Sequence, residues 1–186
     1  MLYIVECTYN DPKSEEAWNK FYSLEKLPAL VSVSGFSTSQ RFRARQPGCP
    51  VYLAIHTVND ADVIISDEYR LKGGGNFSHW QTHITDWHRN LYECECLAPA
   101  VSSEEILLLS SHPISFIETE LGYRPLEMQA SGLDNFPERR VAYVLAWETA
   151  AQLAGTVPDA YLYEPLTTQL QNSVKAHQGG KPKNHA

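Results

Sequence analysis

The sequence predicts an α+β protein built from two consecutive β-α-β-β-α-β units. Three observations lead there. Strand-like runs alternate with short helical segments in that order twice. Three landmarks of the first half, Ser34-Gly35-Phe36, Tyr52-Leu53-Ala54-Ile55-His56-Thr57 and Leu91-Tyr92-Glu93, recur in order. Their counterparts are Ser131-Gly132-Leu133, Tyr143-Val144-Leu145-Ala146-Trp147-Glu148 and Leu162-Tyr163-Glu164. Finally, 186 residues, 43% of them hydrophobic, suffice for one full domain or two small units that share a core.

The elements follow in order. Leu2 to Thr8 alternates and is rich in β-formers, which predicts a strand. Asp11-Pro12 marks a turn, and Ser14 followed by Glu15 and Glu16 starts a helix, with Ala17, Phe21 and Leu24 at helical spacing. Pro28 and the stretch Ser32 to Gly35 close it. Phe36 to Ala44 is the second strand and Val51 to Val58 the third. Asn59-Asp60 caps a helix with Ala61, Ile64 and Ile65, and Gly73-Gly74-Gly75 breaks the chain. An inserted helix is expected from His79 to about Arg89, then a fourth strand from Leu91 to Leu97.

The second half repeats the order with shorter helices. Glu105 to Ser110, Leu126 to Leu133, Val141 to Thr149 and Tyr161 to Thr168 are its strands, and Ile114 to Leu121 and Ala150 to Ala154 its helices. This order is the ferredoxin-like split unit. The expected organisation is therefore tandem ferredoxin-like repeats, 1–98 with the inserted helix and 99–177 as a diverged copy, then a disordered tail at 178–186. The first copy carries the extra segments and is the expected carrier of specificity.

A net charge of −7 and a pI near 5.5 provide no cationic surface for phosphate backbones, which disfavours nucleic acid as a partner. Cys94 and Cys96 stand one residue apart, not the two of a zinc knuckle, and with Cys7 and Cys49 they are read as reduced core residues. Met1 leads directly into a strand, and no apolar run has membrane-spanning length. The expectation is a cytoplasmic protein without a membrane partner. Gly73-Gly74-Gly75 lacks the spacing of a phosphate loop, and no serine elbow is present.

The run Trp18-Asn19-Lys20-Phe21-Tyr22-Ser23-Leu24-Glu25-Lys26-Leu27-Pro28, followed by Val33-Ser34-Gly35-Phe36 and Arg41-Phe42, resembles the signature of dimeric α+β barrel proteins. Over residues 1–95 the nearest likeness is the group around the ethyl tert-butyl ether degradation (EthD) proteins. Members of that group read as aromatic residues, Glu-His-Leu-Pro, a Pro-Gly-Phe or Pro-Gly-Leu step and an Arg-rich strand. The resemblance implies a dimeric-α/β-barrel-type architecture and one of several activities: cofactor-free oxygenation, lactone isomerisation, polyketide cyclisation or haem degradation. Fold alone does not choose among them. Here Lys26 stands where the motif has histidine and Ser34 where it has proline, so a histidine mechanism at that position does not carry over.

The candidate residues follow from the strands. Alternation puts Tyr52, Ala54 and His56 on one face of the third strand, expected to line the barrel interior opposite Trp147, the counterpart of His56. A histidine beside an aromatic wall fits a proton-transfer site; the other reading is a hydrogen-bonded interior residue. Glu6 and Arg41 either neutralise each other or hold an anionic substrate. His56, Arg41 and Tyr22 are the expected catalytic residues, and Trp147, Tyr52, Trp80, Trp87, Glu6 and Lys26 the expected ligand contacts. On the inserted helix His79, His83 and Asp86 share a face. That face is read as a metal site, as a haem ligand through either histidine, as part of a lid hinged at Gly73-Gly74-Gly75, or as packing.

The resulting expectation is a protein that binds a small hydrophobic or aromatic compound, with a homodimer left open as its assembly. If it is an enzyme it is a cofactor-free oxygenase, isomerase or cyclase, with His56 moving a proton and Arg41 holding negative charge. The alternatives are a non-catalytic binding or stress-response module and a haem-binding or haem-degrading protein. A cavity lined by His56 and Trp147 separates the first reading from a module with a solid interior.

Overall fold

Strand β1 (Leu2–Tyr9) is buried along nearly its whole length, because it runs through the middle of a sheet covered on both faces. The computed structural model describes residues 1–73, 77–153 and 155–173. In these, β1 is followed by helix α1 (Glu15–Phe21), a π-helical turn (Tyr22–Lys26) and helix α2 (Leu27–Val31), which run on as one rod. Strands β2 (Phe36–Ala44) and β3 (Tyr52–Val58), a 3-10 turn (Ala61–Ile65), helix α3 (Asp67–Leu71), a second 3-10 turn (Ser78–His83) and β4 (Ile84–Glu93) complete the first half. The second half comprises β5 (Glu105–Ser110), α4 (Ser115–Thr119), β6 (Leu126–Leu133), β7 (Arg139–Ala146), α5 (Trp147–Leu153) and β8 (Ala160–Pro165). A short β9 (Leu170–Gln171) then pairs with β2.

All strand pairs are antiparallel, and the order closes on itself: β1-β4-β6-β7-β5-β8-β2-β3 and back to β1. Within the ring the first half reads β4-β1-β3-β2 and the second half β8-β5-β7-β6. The halves meet at two seams, β4 with β6 and β2 with β8. Closure leaves the eight ring strands without an open edge, which removes the usual template for strand-to-strand aggregation. One chain completes the ring.

The interior is filled by one alternate set of side chains from every strand. Leu2, Ile4, Phe42, Leu53, Ile55, Tyr92, Leu107, Leu109, Met128, Ala142 and Tyr163 pack into a single cluster. The remaining void, lined by Leu2, Gln40, Phe42, Ile55 and Met128 among others, is about 10 Å³, room for one water at most. Glu6 lies in this inward set. Its carboxylate is clasped by Arg140 of β7, with Nη2 2.9 Å from Oε1 and Nη1 3.1 Å from Oε2. This fork links β1 of the first half to β7 of the second across the ring interior.

Two local devices shape the first half. Pro28 has no N–H to donate to Leu24, and its ring crowds that carbonyl, which accounts for the widened π turn just before it. Gly35 joins α2 to β2 at φ +95°, and a Cβ there would stand 2.5 Å from Val63 Cγ2. No larger residue fits this corner.

Several expectations are corrected. The helix expected from His79 to Arg89 is a single 3-10 turn followed by β4, which begins at Ile84 rather than Leu91. Trp87, Arg89 and Leu91 then alternate outward on a strand, a period of two that the tryptophan spacing obscured. Cys94 and Cys96 lie beyond the end of β4; Cys94 packs against the interior cluster, but Cys96 is exposed and fills no core, and all four cysteines are free. β7 stops at Ala146, and Trp147 opens α5. Gly74, Gly75 and the segment 178–186 lie outside the described residues. No helix among those described is long and apolar enough to cross a membrane.

Removing one partner of the Glu6–Arg140 fork leaves the other charged and buried. Glu6→Gln is expected to cost about 3 kcal/mol or more in urea unfolding, while the double replacement Glu6→Leu with Arg140→Met recovers most of that loss. A single variant as stable as the parent would show that the pair is hydrated.

Candidate functional site

The polar chemistry of the first half lies outside the ring, beneath the helices. Tyr52, Ala54 and His56 face away from the barrel, and the register sets Cys7, Val5 and Tyr3 beside them on β1. On the other side stand Arg43, Arg41 and Ser39 of β2. The central row, Arg41–Ala54–Val5–Arg89, has its two smallest residues in the middle, so the sheet floor dips there between a tyrosine row and a histidine row. Trp18, Tyr22 and Leu27 of the rod, with Phe77, pack over the dip.

Arg41 is the most deeply buried charged side chain in this layer, only 1% exposed. Its guanidinium lies 4.0 Å from the Tyr22 ring, 5.3 Å from Trp18 and 5.4 Å from Tyr52. Its hydrogen bonds go to neutral acceptors. Nη1 donates to Ser23 Oγ at 2.9 Å and to the Asn19 carbonyl at 3.3 Å, and Nη2 donates to Asn19 Oδ1 at 2.8 Å. No carboxylate among the described residues forms an ion pair with it. Burial lowers its pKa, yet a guanidinium stays protonated at neutral pH, so the layer holds an uncompensated cation.

His56 is fully buried between Tyr3 and Phe36, with ring centroids 5.6 and 5.3 Å away. Its Nδ1 is 2.5 Å from Ser39 Oγ, while Nε2 has no hydrogen-bond partner among the described residues. Burial, and then the charge on Lys26, push its pKa down to about 3, so the ring is neutral near pH 7. Trp18 Nε1 is likewise buried without a partner. Lys26 donates to the Gly73 carbonyl and lies 4.2 Å over Phe77; burial brings its pKa to about 8.

The rim is hydrogen-bonded. The Tyr52 hydroxyl donates to Glu15 Oε2 at 2.5 Å and accepts from Arg43 Nη2 at 2.5 Å and Asn19 Nδ2 at 2.8 Å. At the opposite end, the Tyr3 hydroxyl meets that of Tyr69 at 2.9 Å and accepts from Arg89 at 3.1 Å. The equivalent layer of the second half is nearly all apolar, with Ile106, Leu108, Val141 and Leu145 under Ile114, Ile117 and Ala150. A groove of about 640 Å³ beside Glu93 and Cys94 at the β6 edge also exists, but its Arg139 and Glu127 already pair with each other at 2.7 Å.

His56, Arg41, Tyr22, Tyr52 and Lys26 therefore share one helix-covered layer. Trp87 meets Phe77 edge-on at 5.7 Å, and Trp80 covers Phe21 at 4.6 Å. Two expected partnerships do not form. Glu6 is on the opposite face from Arg41, and Trp147, 40% exposed, lies under Arg45 rather than opposite His56. The cause is the parity of β1, which sends Leu2, Ile4 and Glu6 inward and so turns His56 outward. His79 stacks on Trp80, His83 is 3.8 Å from Asp11 and Asp86 is exposed. No group of three histidine, cysteine or acidic residues among those described is placed to hold a metal ion.

Sequence reasoning missed Asn19, Ser23, Phe77 and Arg140. The first two had a signal, since a polar pair at i, i+4 beside Trp18 and Tyr22 lies on the buried face of the rod.

The fold is that of known α+β barrels. A protein described as anthrone oxidase-like superposes with a TM-score of 0.56 at 9% identity, covering 92% of this chain and 93% of the other. A candidate monooxygenase from Lactobacillus acidophilus NCFM gives 0.52 at 9% identity, with 92% and 96% covered. One from Fusobacterium nucleatum subsp. nucleatum gives 0.51 at 8%, with 92% and 94% covered. No family model and no curated protein matches the sequence. At this identity the likeness shows the fold, and the narrower EthD likeness rests on the sequence motif alone.

The buried neutral imidazole has a pH signature. An unfolded chain protonates His56 near 6.5, whereas the folded chain resists until about 3, so stability is lost as pH falls through that window. In urea unfolding between about pH 4.5 and 7.5, the parent should lose stability more steeply than His56→Asn, by up to about 1.4 kcal/mol per pH unit. Parallel curves would mean that the ring is solvated.

Proposed function

We propose that this chain binds a small planar compound carrying an acidic phenol or enol oxygen, between the first half of the sheet and its helical rod. Any turnover is then cofactor-independent oxygenation. One observation carries the reading: the same layer holds a buried guanidinium without a carboxylate and two buried nitrogens, His56 Nε2 and Trp18 Nε1, without partners. Leaving such groups unmatched costs about 1–3 kcal/mol each, and a purely structural layer gains nothing by keeping them. The second half dispenses with them.

The roles follow from position. Neutral His56 accepts a proton from the ligand, and Arg41 stabilises the anion that remains, with Tyr22 and Tyr52 as ring walls and Trp80 and Trp87 at the edge. At an activated CH2 the carbanion gives its electrons to dioxygen. One oxygen atom becomes the new carbonyl and the other leaves as water. The descriptions of the structural neighbours favour oxygenation over isomerisation or cyclisation. Lys26, beside His56, tunes its basicity. Tyr22, Leu27 and Phe77 fill the layer, so a ligand has to displace one of them.

The same reading treats the halves as tandem ferredoxin-like repeats, supported by their identical strand order, and the protein as cytoplasmic, supported by its four free thiols. A homodimer is not required to complete the ring. The second reading, a non-catalytic binding or stress-response module, draws on the solid barrel interior. The haem reading has less support, because His79 and His83 are on a surface turn.

Oxygen uptake with an anthrone as probe tests the proposal, alongside mass spectrometry of compounds retained on purification. His56→Ala should lower kcat by about 10²-fold or more while circular dichroism is unchanged. Unaltered turnover in that variant removes His56 from the mechanism. No turnover and no retained compound in the parent favours the non-catalytic module.

A further inference from the structure

Beside the rim network an open groove of about 660 Å³ runs between the start of the rod and β2. Pro12, Leu24 and Leu166 make it partly apolar; Glu15, Asn19, Ser23 and Arg43 supply polar lining, and Lys20 and Glu16, 3.6 Å apart, complete it as an exposed ion pair. Asn19 and Ser23 are the residues that hold the Arg41 guanidinium from the other side. Arg41 therefore lies one side-chain layer below the groove floor.

We infer that this groove is a recognition site for a small carboxylate with an apolar body, whose oxygens take over the Arg41 N–H groups now bound to Ser23 Oγ and Asn19 Oδ1. The exchange conserves the number of hydrogen bonds. It replaces two ion–dipole contacts to neutral acceptors with a bidentate ion pair and gives the buried guanidinium its missing counter-charge. A forked guanidinium matches a carboxylate in geometry as well as in charge. Ser23 sits in the π turn, and a change of its single χ1 rotamer releases the contact to Arg41. Glu15 does not compete, because its carboxylate is bound to the Tyr52 hydroxyl at 2.5 Å and lies 3.4 Å from Arg43.

The inference shares Arg41 with the proposed function but needs neither His56 nor turnover, so the two fail separately. The probe is benzoate against benzyl alcohol as its neutral isostere, read by Trp fluorescence, since Trp18 lies 5.3 Å from Arg41, and by calorimetry. Benzoate should bind at least about tenfold more tightly than the alcohol. Ser23→Asp supplies the counter-charge from within and should raise Tm while abolishing benzoate binding. Asn19→Asp repeats the test from the adjoining position should the first variant not fold. His56→Asn should bind benzoate like the parent, whatever its turnover. Equal affinity for benzoate and the alcohol, no benzoate binding, or undiminished binding in the aspartate variant overturns the inference.

Discussion

Closure of eight antiparallel strands into one ring is the constraint on which the rest of the molecule depends. A closed ring has an interior of fixed volume, and each strand commits every second side chain to it. With Leu2, Ile4, Phe42, Leu53, Ile55, Leu107, Leu109 and Met128 committed, little space remains beyond one buried ion pair. The Glu6–Arg140 fork tolerates no slippage between the half-sheets, because either charge left alone in that interior would be costly. The interior is thus a structural element, and chemistry has to be sought elsewhere.

The other face carries the unusual polar groups. The residues excluded from the ring by parity, Arg41, Tyr52, His56 and Tyr3, lie under a helical rod whose continuity is altered at Pro28. The proline is tolerated because the chain widens into a π turn, and that turn carries Tyr22, Ser23 and Lys26 toward the sheet. Tyr22 and Lys26, four residues apart, share the face turned to the sheet, as i, i+4 neighbours do.

The halves differ in how they treat the same space. In the second, the layer between sheet and helices is filled by Ile106, Leu108, Val141 and Leu145, with Tyr143 donating to Glu118 at 2.6 Å as its main polar contact. In the first, that space holds a guanidinium, an imidazole and an ammonium. The two layers share a strand order and differ in polarity, and the second is mostly packing. The proposed ligand site rests on this asymmetry.

Much of this was legible in the sequence. The α+β class and the positions of most strands followed from period-two alternation, because a half-buried strand must obey it. His56, Arg41, Tyr22, Tyr52 and Lys26 stood out as buried-strand or helix polar residues, and they share one layer. The sequence alone could not say which face of each strand turns into the ring. Alternation gives two faces but not their direction, and the inversion of His56 relative to Trp147 follows from that ambiguity. Nor could it pair Glu6 with Arg140, 134 residues away, or distinguish a tryptophan-bearing strand from a helix between Ile84 and Arg89. Local sequence determines periodicity and charge; only closure of the ring decided inside from outside, because that choice belongs to all eight strands at once.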